Sequence, residues 1–305
     1  MPPVAYSRGD VFAAIGSGLI RHFSPTGVLL DTLTVPSLPS FVTGMFFDTR
    51  NHLFATLFSS GPGNNQIAEF DDVGNFVGYF ASSYAAWHFP ESIVGDSAGD
   101  FYVGQASTPT APGVPANAHI LKFDSAGTFL DEFIVATETR GSDWIEIKVG
   151  GDQCVVYYTS EGNLVKKYNV CSDVQLADFA TFPSPHGAGY ALRILPNGDV
   201  LVATGAYNVF GGPTNPLSKV FHIDSSGTTI FTYTFTFSNL FALNIDPDGR
   251  SFWTADLSNG AIYHINFVTH TLITSWVASP RVAGLAIFGE RRSGFIPQFY
   301  RRNGL

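Results

Sequence analysis

Six residues in this 305-residue chain carry side chains suited to chemistry, and they fall into three pairs: His88 with Glu91, Arg140 with Asp143, and His186 with Tyr190. Two carboxylates with histidines nearby can hold a divalent cation, calcium or magnesium, through hard oxygen ligands. They can also move protons as general acid and base. On this reading Glu91 and Asp143 are the metal ligands, Glu91, Asp143 and His186 are the candidate catalytic groups, and all six line a binding site. Arg140 offers another outcome, because its guanidinium can neutralise Glu91 or Asp143 in a structural ion pair. Residue type does not choose between these. The elements that position the three pairs do.

Helical spacing is scarce, and short alternating runs broken by Gly, Asp and Pro dominate. A unit recurs. "VTGMFFDTRNHLFATLF" (42–58) is echoed by "ESIVGDSAGDFYVGQAS" (91–107), "DWIEIKVGGDQCVVYYT" (143–159), "YALRILPNGDVLVATGA" (190–206) and "FALNIDPDGRSFWTADL" (241–257). Each copy is a strand, a turn and a second strand; in four of the five a third strand and a second turn follow, and the last has "AIYHINFVTHTLITSW" there. Four antiparallel strands at a period of about 41 to 52 residues predict an all-β fold, a six-bladed β-propeller. The N-terminus starts at a second strand (9–17), and "VAGLAIFGE" (282–290) matches the missing first strand. The C-terminal strand is therefore expected to complete the N-terminal blade and remove an open edge. The expected blades are 9–35 with 282–290, 41–83, 91–136, 143–182, 189–235 and 240–279, forming one domain over 1–290. First strands line the central channel. Aligned by their turns, they place Ala283, Thr43, Glu91, Asp143, Tyr190 and Phe241 around one mouth, with the polar residues on blades 3 to 5.

Segments such as "LNIDPDGRSFWTAD" and "FDSAGTFLDEF" resemble the six-bladed propellers grouped as NHL-repeat, gluconolactonase-like and virginiamycin B lyase-like proteins. The resemblance spans roughly 9–290, and its motifs are structural rather than chemical. It implies two enzymatic alternatives. Lactonase-like members hold calcium with a Glu, an Asn and an Asp at the channel mouth. Here Glu91 and Asp143 match, no Asn takes a matching position, and Phe241 stands on the "DPDG" blade. Lyase-like members use a His/Glu cluster with metal; His186 and Glu91 imitate part of it, without the H-x-E-type pair. Neither constellation is complete, so a non-catalytic binding or assembly module is the leading expectation. A metal-dependent lyase or lactone hydrolase is the alternative.

The only two cysteines lie in "DQCVVYYTSEGNLVKKYNVCSD" (152–173). A two-residue Gly162-Asn163 turn between strands 153–161 and 164–171 would set Glu161 opposite Leu164 and Cys154 directly opposite Cys171. At a non-hydrogen-bonded pair the Cα atoms lie ~4.5 Å apart, which suits a disulfide. A structural staple points to an oxidising compartment, hence an extracellular or cell-surface protein.

Composition narrows the partners. Charged residues make up 13% of the chain, against ~25% in typical domains, which with 28 Phe suits a β-rich chain of tight turns. The net charge of -9 leaves no basic stripe for phosphates and argues against nucleic acid. No apolar run reaches the ~18 residues of a membrane helix. "MPPVAYSRGD" lacks signal-peptide regions, which fits a cytoplasmic chain, export by another route, or a leader missing from this sequence. His22, His222 and His264 fall within strand patterns and read as ordinary packing or surface residues. Long loops, "SSGPGNN" (59–65), "STPTAPGVPANA" (107–118) and "AYNVFGGPTNPL" (206–217), share one rim, while compact turns such as Asp48–Asn51 and Asp246–Gly249 share the other. The loop-rich rim is the expected face for a protein partner, with a small-molecule or glycan ligand as the alternative occupant. Residues 291–305, "RRSGFIPQFYRRNGL", form a basic aromatic tail whose Phe295, Phe299, Tyr300 and Arg301 suit docking or self-association.

Overall fold

The computed structural model describes residues 4–36, 41–58, 65–81, 89–106, 119–148, 152–205, 207–208, 212–213, 217–236 and 239–290. They form six antiparallel blades around a closed ring. From inside outward, blade 1 is Gly284–Ile287, Val11–Gly16, Leu19–Phe23 and Leu29–Thr34, and blade 2 is Phe41–Phe47, Leu53–Phe58, Gln66–Phe70 and Phe76–Phe80. Blade 3 is Pro90–Gly95, Phe101–Gln105, His119–Phe123 and Phe129–Ile134. Blade 4 is Trp144–Ile147, Val155–Thr159, Leu164–Asn169 and a broken outer strand, Val174–Gln175 then Ala180–Thr181. Blade 5 is Gly189–Ile194, Val200–Thr204, Leu217–Ile223 and Thr229–Thr236, and blade 6 is Leu240–Ile245, Ser251–Asp256, Ala261–Asn266 and Thr271–Val277. No helix among the described residues is long and apolar enough to cross a membrane.

Closure works as the sequence predicts. Gly284–Ile287 pairs with Val11–Ala14 in register and packs against the inner strands of blades 2 and 6. Space there is tight: a Cβ on Gly284 would run into the Thr43 carbonyl, so only glycine fits. Glu290, just past this strand, accepts hydrogen bonds from Arg193 Nε (2.9 Å), Asn244 Nδ2 (2.9 Å) and the Ile245 amide (2.6 Å). The closing strand is thereby bolted to blades 5 and 6.

Between blades the wedge is filled by aromatics. Phe54, Phe80 and Phe101 meet at centroid distances of 4.6–5.1 Å, joining blades 2 and 3. Each is 5% exposed or less. Burial of one such ring contributes roughly 1.5–3 kcal/mol, which explains the phenylalanine-rich composition.

A polar staple repeats around the ring. In five blades the residue just before the second strand, or in blade 6 its first residue, pairs with a third-strand side chain: Asp10 with His22 (2.8 Å), His52 with Glu69 (2.8 Å), Asp100 with Lys122 (2.8 Å), Asp199 with His222 (3.0 Å) and Ser251 with His264 (2.7 Å). His22, His222 and His264 are therefore paired groups rather than incidental packing or surface residues. His22 is fully buried and also meets Asp31 at 3.0 Å. In blade 4 the matching position, just before Val155, is Cys154, and it is disulfide-bonded to Cys171. One blade thus carries a covalent staple where the others carry a polar one.

The expected hairpin register needs correction. Val155 faces Asn169 and Tyr158 faces Lys166, one residue away from the predicted pairing. Cys154 faces Val170, whose amide donates to the Cys154 carbonyl at 2.8 Å. Cys171 is reached one residue later, in a turn where the Asn169 side chain accepts its amide at 3.0 Å. The Cα atoms are 5.2 Å apart rather than ~4.5 Å. The turn is not a two-residue one because neighbouring segments claim its backbone groups. The Ser160 carbonyl accepts from the amides of Thr139 and Arg140, the Gly162 carbonyl from Gly189, and the Asn163 carbonyl from Phe182.

The bridge spans 17 positions, so replacing both cysteines with serine should lower stability by about 3 kcal/mol. Urea unfolding followed by fluorescence would show the lowered midpoint, with an unchanged far-UV spectrum because the ladder itself persists.

Candidate functional site

The inner strands converge at a mouth, and β-bulges aim its residues. Register shifts fall between Val42 and Met45, Pro90 and Ser92, Gly189 and Leu192, and Leu240 and Ala242. The residues inside these irregularities include Thr43, Glu91, Tyr190 and Phe241. A bulge leaves its extra residue off the ladder and re-aims the side chain. Hydroxyls then lock successive blades together at this level. Thr56 Oγ1 reaches the Glu91 carbonyl (3.2 Å), Ser92 Oγ donates to the Asp143 carbonyl (2.6 Å), and Thr159 Oγ1 donates to the Tyr190 carbonyl (2.8 Å).

The result is a cavity of about 560 Å³. Four of the six residues expected at the mouth line it: Ala283, Thr43, Glu91 and Phe241. Arg140 lines it too, with Phe41, Phe58 and Leu257 as an apolar wall and Arg281 at the rim. Asp143 and Tyr190 are fully buried beside it. Tyr190 lies 4.7 Å from Phe241 by ring centroids, and Trp144 lies 5.1 Å from Phe241. Deeper in the ring, beside Trp144 and Arg193, the free space falls to about 10 Å³, barely one water. Among the described residues the mouth narrows inward to a blind socket.

Arg140 is the centre of the site. Its guanidinium lies 2.7 Å from Glu161, 3.1 Å from Glu91 and 3.9 Å from Asp143. All four side chains are at least nine-tenths buried. The Arg140 carbonyl accepts from Ser160 Oγ at 2.8 Å, which pins the loop that carries it. Its guanidinium also lies 5.3 Å from the Phe58 ring centre, a cation–π arrangement. The expected ion pair with Glu91 is thus present, and Arg140 is shared three ways.

Glu161 is the member that sequence reasoning missed, having been read only as the last residue of a strand, opposite Leu164. The signal was available: the end of a blade's second strand lies beside the start of its first, so Glu161 comes up next to Asp143. Asn239 was missed as well. It lines the cavity two residues before Phe241, held there by its bridge to Gly205 and by its amide, which donates to Asp256 at 2.9 Å. His186 is not brought to the cluster; its Nδ1 lies 2.9 Å from the Gly187 carbonyl and it does not line the cavity. His88 lies outside the described residues, as do Phe295, Phe299, Tyr300 and Arg301 of the tail.

Three buried carboxylates against one guanidinium leave an excess of negative charge. Desolvation pushes the Glu91 carboxyl up to about 7; Arg140 pulls it back and Glu161 adds to the rise. Asp143 is raised well above the ordinary carboxylate range for the same reason, and Glu161 is raised. Burial works against the charge on Arg140, but Glu91, Asp143 and Glu161 outweigh it and hold the guanidinium protonated. The Arg140 guanidinium lies between Glu91 (3.1 Å) and Asp143 (3.9 Å), the two residues expected as metal ligands. Among the described residues no three His, Cys, Asp or Glu are grouped to hold a metal ion.

No protein-family model matches this chain, and no curated protein matches it in sequence. In structure it is similar to a chain in the crystal structure of a nidogen/laminin complex, with a TM-score of 0.63 and 11% identity over 90% of this chain and 97% of that one. At that identity the likeness establishes the propeller fold alone.

Two outcomes follow from the charge excess. Glu91 holds its proton to about 7 in the folded chain against 4.5 unfolded, so the native state binds more protons across that window. The stabilising contribution of this group is complete below about 4.5 and lost as pH rises through 7. Urea midpoints should therefore fall between pH 5 and pH 8, and Glu91→Gln should flatten that slope. Arg140→Met, which strands three carboxylates, should cost about 3–5 kcal/mol at pH 7.5 and distinctly less at pH 5.

Proposed function

We propose that this chain is a non-catalytic binding module, extracellular or at the cell surface, that contacts a protein partner through the rim bearing the mouth. The observation that carries this reading is the blind, aromatic-walled socket, which opens between bulged inner strands on a rigid ring. Concave, mostly apolar sites with a few convergent polar groups are the usual form of binding pockets. Phe41 stands at its edge, 39% exposed, as an apolar contact ready for burial. The disulfide supports an oxidising location. Similarity to a chain that takes part in a protein complex supports the choice of a protein partner. The tail 291–305 is a second contact element in this reading, an arm suited to a neighbouring subunit or to the partner.

The test is capture of a partner from the extracellular fraction by immobilised full chain and by two variants. Phe41→Asp on the rim should lose at least tenfold in capture, whereas Arg50→Ala on the opposite face should retain it. Equal capture by both would remove the rim from the reading. Native mass spectrometry of a chain lacking 291–305 should show a folded ring of lower oligomeric mass; an unchanged mass would remove the tail from assembly.

A further inference from the structure

We propose that the mouth socket binds a monovalent organic cation, an ammonium or guanidinium group carried on an alkyl stem. This deepens the preceding reading, since it rests on the mouth-bearing rim being the binding face and names the chemistry taken there.

The charge imbalance is the first observation. Glu91, Asp143 and Glu161 are 3% exposed or less and share a single guanidinium. Among the described residues Glu161 Oε2 lacks a hydrogen-bond donor, Asp143 has only the Gly141 amide and Arg140 at 3.9 Å, and Glu91 Oε2 has only Arg140 at 3.1 Å. Buried carboxylates need donors, protons or a counter-charge. Of the three acids, Glu91 lines the cavity, beside Arg140, whose single charge is divided among all three, so an incoming cation meets Glu91 with the other two acids behind it.

The shape of the socket is the second observation. About 560 Å³ is far more than a bare ion fills, and besides Glu91 the lining includes the apolar side chains Phe58, Phe241 and Leu257. Such a wall suits an alkyl stem and the face of a cationic head, and it offers nothing to a hydrated metal ion. The protein already displays the arrangement once, since Arg140 lies between the carboxylates with its guanidinium on Phe58. A ligand cation would repeat that chemistry one layer further out. Arg281 lines the rim of the cavity and is exposed, so it opposes the ligand through a screened interaction.

These charges give opposite signs at two positions. The full chain is titrated calorimetrically with agmatine and with n-butylammonium chloride, against sodium butyrate and sodium chloride at equal ionic strength. Saturable one-to-one binding of both cations and none of butyrate is expected. Glu91→Gln keeps the side-chain volume and should weaken binding tenfold or more. Arg281→Ala should tighten it two- to threefold, and as an exposed position it keeps the test open if Glu91→Gln folds poorly. A blocked-terminus peptide carrying one arginine separates the sources. Binding tighter than agmatine identifies a partner's side chain, and weaker binding identifies a free amine. Absence of saturable binding, equal binding of butyrate, or indifference to both substitutions overturns the assignment. Those results would leave the rim reading intact, because that reading is tested by capture and not by amines.

Discussion

Everything in this molecule depends on the pairing of Gly284–Ile287 with Val11–Ala14, a contact between residues some 270 positions apart. A propeller blade buries its faces only against its neighbours, so an open ring would leave two apolar faces and a free inner edge. Loop-closure entropy makes such a distant pairing costly to form. The structure offsets that cost with several contacts on the same strand. Glu290 gathers three donors from blades 5 and 6, and Gly284 allows the backbone of blade 2 to approach closely. The mouth is a product of closure, because Ala283 and Arg281 on one side of it come from the C-terminal end of the chain.

The ring then supplies a rigid frame on which charge can be held out of balance. Arg140 with three buried carboxylates is an arrangement that an isolated blade could not keep, since Glu91 comes from blade 3 and Glu161 from blade 4. The Ser92 hydroxyl, donating to the Asp143 carbonyl, ties blades 3 and 4 together beside these charges. Such a cluster contributes little to net stability, because desolvation of four charges offsets much of the Coulomb gain. Proton uptake by the raised carboxyls relieves the excess of negative charge behind the socket. The pH sensitivity and the proposed affinity for cations share this one source.

The staples express the same division between the general and the particular. Five blades close their inner hairpins with a polar pair, and blade 4 uses Cys154 and Cys171 at the corresponding place. Blade 4 also has the shortest and most broken outer strand, where Val174–Gln175 and Ala180–Thr181 replace one continuous element. A covalent link at this hairpin ties together the two strands, Val155–Thr159 and Leu164–Asn169, that lead into and out of the segment bearing Glu161.

The sequence by itself determined the fold class, the blade count, the closing strand and the partnership of the two cysteines. Each of these is written in local periodicity: alternation sets the strands, Asp- and Gly-containing turns separate them, and a repeat of about 41 to 52 residues counts the blades. Arg140, Glu91 and Asp143 were also legible as a group, because equivalent positions in successive repeats must meet at the axis. Tertiary structure decided the rest. Bulges shift register by one residue, which is invisible to spacing, and they present Glu91 and Phe241. The blade 4 hairpin was fixed by hydrogen bonds to segments before and after it, so the expected turn and pairing moved by one and Glu161 turned toward Arg140. Local patterns settle what repeats around the ring. What differs between blades is set by contacts across them, and the candidate site is made of those differences.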